Sequence, residues 1–278
     1  MSNEPKVHLI GNAHLDPIWL WRWQEGCGEV LQTFRSALDR LNEYPDFVFT
    51  CSSAAYYKWV EEIDPDMFEK IRERVKEGRW VPVNGWWVQP DCNMPSAESF
   101  ARQALYSQLY YNEKFGRICK TAYNVDSFGH SGMLPQIIKN GGMTAYVMMR
   151  PGAHENAEIP NMFMWESLDG TQIPTFHIPD ASGYGSGNAE AINRSRDLAE
   201  KLINEEGHGM TGIVGCEVII EFSLGLLHAS SKETDITIWS SLRPMLSLRR
   251  IALKKSSCRF GKTIFSTTRA AVIPQRAL

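Results

Sequence analysis

Leu9-Ile10-Gly11-Asn12-Ala13-His14-Leu15-Asp16-Pro17-Ile18-Trp19 is the stretch around which the chain is organised. Just before it, across residues 6–10, apolar Val7 and Leu9 alternate with other residues, the period of a β-strand. Pro17 ends the pattern. Residues i and i+2 of a strand point the same way, so His14 and Asp16 would present an imidazole and a carboxylate to one spot. Nitrogen with carboxylate oxygen is a ligand set that suits zinc. Alone, the pair fits equally an imidazole hydrogen-bonded near a strand end.

Downstream, the pattern alternates. Helical spacing over residues 19–42 leads to a strand at 46–51 and a helix capped by Ser52 or Ser53. Asp64-Pro65 gives an N-cap and a first-turn proline for a helix that Gly78 ends. A strand is expected over residues 80–88, and Ser96 caps a long helix over 97–115. Strands follow at 120–126 and 144–149 around a helix at 133–139. A hairpin over 163–178 turns at Asp169-Gly170, and a helix is expected over 189–206. This β-α-β-α order predicts an α/β fold with a mainly parallel sheet. In such folds chemistry gathers at the C-terminal strand ends.

Those ends carry unusual residues. One is His14-Leu15-Asp16. Another is Asn124-Val125-Asp126-Ser127-Phe128-Gly129-His130-Ser131, and a third is Met149-Arg150-Pro151. A fourth, from Trp86 to Asp91, sets two indoles beside a carboxylate. If they converge, His14, Asp16 and Asp126 offer one nitrogen and two carboxylates, one ligand short of closed tetrahedral coordination. Trp19, Trp87 and Phe128 could form flat apolar walls, which with carboxylates suit a sugar ring. Each residue also has a plainer reading. Asp126 alone reads more readily as a helix N-cap, Trp86 and Trp87 as core, Arg150 as a surface ion pair and His130 as a structural histidine.

Composition fits an ordinary globular chain. Of 278 residues, 43% are hydrophobic and 22% charged, with net charge −3, so nothing calls for nucleic acid. No run reaches the ~18 apolar residues of a membrane helix. The polar start of the chain lacks a signal peptide's apolar core, and six cysteines without a C-x-x-C pair read as free thiols, so a cytoplasmic location is expected. Oligomeric state is not readable.

Residues 207–278 stand apart, with ten Lys+Arg against four Asp+Glu, a balance of +6 beside −9 for residues 1–206. Eight of nine Trp precede residue 166, which places a boundary near 207.

As a set, the motifs resemble the N-terminal catalytic domain of glycoside hydrolase family 38, the class II α-mannosidases. They are His14 to Trp19, Val125 to Ser131, Gly85-Trp86-Trp87-Val88 with Asp91, and Glu98-Ser99 with Arg102-Gln103. The resemblance covers residues 6–206. It implies a seven-stranded (β/α) barrel-like domain, incomplete at the C-terminus, and zinc held by His14, Asp16 and Asp126. It makes Asp126 the nucleophile of a retaining mannosidase acting on mannose-containing oligosaccharides or glycosides. Trp19 would stack under the sugar, with Phe128 and Arg150 lining the subsite. The family's acid/base carboxyl and a fourth ligand, from a His-His pair, lie beyond the matching segment, so this chain reads as truncated and its own activity stays open.

The tail reads as the family's continuation in the wrong frame. Arg259 to Lys262 as CGG TTT GGA AAG, after a C and one base earlier, encode Pro-Val-Trp-Lys. Ser266 to Arg269 as AGC ACC ACG CGC give Gln-His-His-Ala. Two rival readings remain: a metal-dependent polysaccharide deacetylase, and a non-catalytic sugar-binding fragment using Trp19, Trp86 and Trp87 as a platform.

Overall fold

The computed structural model describes residues 11–152, 155–156, 159–160 and 162–178, the strands Ala181–Tyr184 and Gly212–Val214, and Asp197. The strand expected over 6–10, the helix over 189–206 apart from Asp197, His154 and nearly all of the tail lie outside the described residues. The chain runs β1 (Gly11–Ala13), α1 (Trp23–Glu43), β2 (Phe49–Cys51), α2 (Ala54–Ile63), α3 (Pro65–Glu77), β3 (Trp80–Pro82) and α4 (Ala97–Phe115). It continues through β4 (Thr121–Asn124), α5 (Leu134–Asn140), β5 (Ala145–Met148), β6 (Met162–Glu166) and β7 (Gln172–His177). Ala181–Tyr184 and Gly212–Val214 pair as a short parallel ribbon of their own.

Local chemistry sets several boundaries as expected. Asp64 Oδ1 accepts from Met67 N at 3.0 Å and Pro65 fills the first turn of α3. Gly78 closes that helix at φ 78°, a left-handed conformation that glycine reaches without steric cost. Ser96 Oγ caps α4 through Ser99 N at 3.2 Å. Ser53 sits at the N-cap of α2, but its side chain makes no capping bond. The hairpin turns where Asp169 accepts from Thr171 N and Thr171 Oγ1.

The helix read from the later spacings of residues 19–42 runs over Trp23–Glu43, after the chain bends past Pro17. One expectation is corrected. The strand placed over 80–88 stops at Pro82. Asn84 takes φ 66°, which turns the backbone out of extended geometry, and the apolar run that follows is core and groove rather than strand.

The fold is mixed α/β with mostly parallel strands. β1, β2 and β3 form one parallel sheet; β4, β5 and β7 form another, with β6 antiparallel at its edge. Asn84 N donates to Thr121 O at 2.9 Å, so the chain leaving β3 reaches β4 and links the sheets. Among the described residues the strands do not close into a hydrogen-bonded ring. They do curl. β1 and β4 are separated by β2 and β3, roughly 14 Å on a flat sheet. Yet Tyr123 Oη donates to Asn12 Oδ1 at 3.1 Å, and His14 lies 3.8 Å from Asp126. Only curvature brings those side chains together.

The core sits between the first sheet and helices α1–α4. Trp80 is its centre, edge-on to Phe34 and Phe49 with centroids 5.0 and 4.7 Å away. A second cluster under β4, β5 and β7 holds Trp86, Tyr146 and Trp165.

Candidate metal centre

β1 ends at Ala13, and the next three residues follow the strand's alternation. Leu15 is buried in the core, while His14 and Asp16 face away from it together. His14 Nε2 lies 3.5 Å from Asp16 Oδ1 and 3.8 Å from Asp126 Oδ2. Ligand atoms of the three residues all fall within 4.8 Å of one another. Asp126 arrives from the end of β4 and does not cap a helix, since α5 begins only at Leu134.

This donor set fits a cation. Ligands bound at about 2.1 Å in a tetrahedral arrangement are roughly 3.4 Å apart. The two nitrogen–oxygen separations lie near that value. Neither His14 Nδ1 nor His14 Nε2 has a hydrogen-bond partner among the described residues, although both are buried. A buried polar atom without a partner costs about 1–3 kcal/mol, and a cation bound at Nε2 would satisfy one of the two. Among the described residues no cysteine joins this group. Asp91 is spent elsewhere, accepting from Asn93 N and Met94 N within its own turn.

Asp126 is held from two sides. Its Oδ2 faces His14, and its Oδ1 accepts from Arg150 Nε at 2.5 Å. The Arg150 guanidinium lies 4.7 Å over the Phe128 ring, a cation–π contact. Arg150 is therefore a partly buried ion pair, and not the surface pair that was its plainer reading. Its carbonyl is bonded by His130 Nε2 at 2.8 Å, and His130 Nδ1 meets Tyr146 Oη at 3.0 Å. A carbonyl only accepts, so the proton sits on Nε2 and Tyr146 donates to Nδ1. Burial holds the His130 pKa down at about 4, which keeps the ring neutral. His130 is structural, as its plainer reading had it.

Phe128 and Trp19 stand open beside this cluster, 66% and 62% exposed. Trp19 meets Trp21 edge-on at 5.2 Å. Trp87 is edge-on to Tyr110 and lines a groove of about 590 Å³ along α4 with Arg102, Gln103 and Tyr106. None of the three metal-site residues lines that groove. Trp86 is wholly buried against Phe100 and offers no open face, which removes it from any sugar platform.

The fold is shared with an α-mannosidase from Enterococcus faecalis V583, at TM-score 0.69 and 19% identity, covering 85% of this chain and 28% of that one. Residues 4–212 match the description "Glycosyl hydrolases family 38 N-terminal domain". The chain belongs to glycosyl hydrolase family 38. Similar curated relatives are Alpha-mannosidase G of Dictyostelium discoideum, 35% identical over 66% of this chain, and Alpha-mannosidase 2C1 of Homo sapiens, 33% identical over 69%. The chain spans 17% and 18% of their respective lengths. Membership in family 38 favours a glycosidase over the polysaccharide deacetylase.

Sequence reasoning missed the residues that hold this family 38 site together. Tyr56 Oη donates to Leu15 O at 2.5 Å. Gly26 lets α1 press on the loop after β1: a Cβ there would lie 2.3 Å from Pro17 O. Glycine inside a helical pattern, at Gly26 and again at Gly28, was the one legible signal. Tyr56 looked like any aromatic on a buried helix face.

Proposed function

We propose that this family 38 domain is the zinc-holding and sugar-binding part of a retaining α-mannosidase. The observation that carries the proposal is the meeting of His14, Asp16 and Asp126 around a point where a buried imidazole has no hydrogen-bond partner among the described residues. These three residues would hold the zinc. When bound, it supplies a Lewis-acid grip on neighbouring sugar hydroxyls.

The two Asp126 oxygens then have separate work. Oδ2 faces the cation site and Oδ1 rests on Arg150, which fixes the carboxylate's direction. An Asp126 oxygen bonds to the anomeric carbon as the bond to the leaving oxygen breaks. A second carboxylic acid, roughly 5–5.5 Å away, gives the leaving oxygen its proton. That acid then takes a proton from water, whose oxygen displaces Asp126 and frees mannose with retained configuration. The family resemblance puts the acid beyond residue 206. Trp19 offers an apolar face to the sugar, and Phe128 with Arg150 bounds the same subsite. Trp87, on the α4 groove, serves sugar units further out.

The same proposal includes a seven-stranded barrel-like architecture, supported by the curl between β1 and β4. It divides the chain near residue 207, with an out-of-frame tail; the family match ending at residue 212 supports that division. Cytoplasmic placement is supported by the four described cysteines being free.

A dinitrophenyl α-mannoside tests the first chemical step, because its leaving group departs without protonation and so does not call on the acid. The zinc-loaded chain should release dinitrophenolate in a burst as the mannosyl-enzyme accumulates, because the water step still calls for the second carboxyl as base, and the mannose that forms first should be the α-anomer. Asp126→Asn should lower that rate by about a thousandfold or more. First-formed β-mannose, or an unaffected Asp126→Asn, would contradict the proposal.

A further inference from the structure

The loop that carries Asp16 is held at three consecutive carbonyls. Leu15 O accepts from Tyr56 Oη at 2.5 Å, a fully buried bond spanning 41 residues. Asp16 O accepts from Trp21 Nε1 at 3.3 Å. Pro17 O presses on Gly26 of α1, where a Cβ would approach to 2.3 Å, and to 3.1 Å from Asp16 O. Asp16 itself is only half-buried, so its carboxylate is aimed by its backbone. Of the three restraints, Tyr56 acts between the two ligands: it fixes the plane of the Leu15–Asp16 peptide, and so the angle between the His14 and Asp16 side chains.

We infer that Tyr56 is a positioning residue for the metal site, acting through the Leu15 carbonyl and touching neither cation nor sugar. This rests on the cation reading of the preceding section. Partners that orient metal ligands are typically worth 10–100-fold in metal affinity, which sets the expected scale. The neighbouring Tyr57 provides a matched control. It too is fully buried, and its hydroxyl donates to Cys51 O at 2.9 Å and accepts from Trp80 Nε1 at 3.0 Å. Its bonds hold β2, which carries no ligand.

The test is zinc and cobalt titration of the whole chain and its variants, with the visible cobalt spectrum and the metal-free melting temperature read alongside. Tyr56→Phe should weaken zinc binding about 10–100-fold and alter the cobalt bands. Tyr57→Phe should lower the metal-free melting temperature at least as much, yet leave zinc affinity within about twofold, because the two buried hydrogen bonds it loses hold β2 and not the Leu15–Asp16 peptide. Equal zinc affinity in Tyr56→Phe and wild type would overturn the inference, as would an equal loss in both variants. If Tyr56→Phe cannot be purified folded, Gly26→Ala perturbs the same loop from α1. It should also weaken zinc binding, and unchanged affinity there would overturn the inference. A wild-type chain that binds no zinc would bring down the cation reading itself, a result distinct from equal affinities.

Discussion

Two buried imidazoles sit at neighbouring strand ends and are treated in opposite ways. His130, in the loop after β4, has both ring nitrogens bonded by protein, one to the Arg150 carbonyl and one to the Tyr146 hydroxyl. His14, after β1, has neither nitrogen bonded among the described residues, and two carboxylates lean toward it. Of these two rings, only His130 finds hydrogen-bond partners among the described residues. The contrast separates a residue that shapes the site from one whose nitrogens are open to the proposed cation.

Removing each ring should sharpen that contrast. His130→Phe deprives the Arg150 carbonyl of its donor and the Tyr146 hydroxyl of its acceptor, so metal-free stability should fall by about 2–4 kcal/mol in denaturant melts. The acidic limb of the stability profile should change with it. The folded His130 pKa of about 4 lies below the usual 6.5, so the unfolded chain binds the proton first. The stabilisation is complete above pH 6.5 and is lost as pH falls toward 4, by up to about 3 kcal/mol. His177, also pushed down by burial, acts with the same sign. His130→Phe should flatten this slope; an unchanged slope would show that the ring titrates as if exposed. The smallest effect is expected at the other ring. His14→Phe exchanges a buried imidazole without hydrogen-bond partners among the described residues for an apolar ring and should shift metal-free stability by less than about 1 kcal/mol. A loss as large as that of His130→Phe would mean that the fold uses the His14 nitrogens after all.

What the sequence disclosed follows the range of each interaction. The caps of α3 and α4 were legible because Asp64, Pro65, Ser96 and the closing glycines act within one helical turn. The common direction of His14 and Asp16 was legible from strand alternation alone. The approach of Asp126 depends on a sheet curled across two intervening strands, and no local pattern encodes that; family resemblance suggested it. The strand over 80–88 was over-read because Trp86, Trp87 and Val88 look extended by composition. Asn84 had already turned the chain, leaving Trp86 in the core and Trp87 on the α4 groove. Tyr56 gave no signal, since a tyrosine that bonds a distant carbonyl reads like one that merely fills space.

The central claim is that His14, Asp16 and Asp126 share one cation. Zinc content of the purified chain by mass spectrometry, wild type beside Asp16→Ala, bears on it most directly. The account predicts a single bound zinc per wild-type chain after dialysis and its loss from Asp16→Ala. Equal zinc in the two proteins, or none in the wild type, would contradict it.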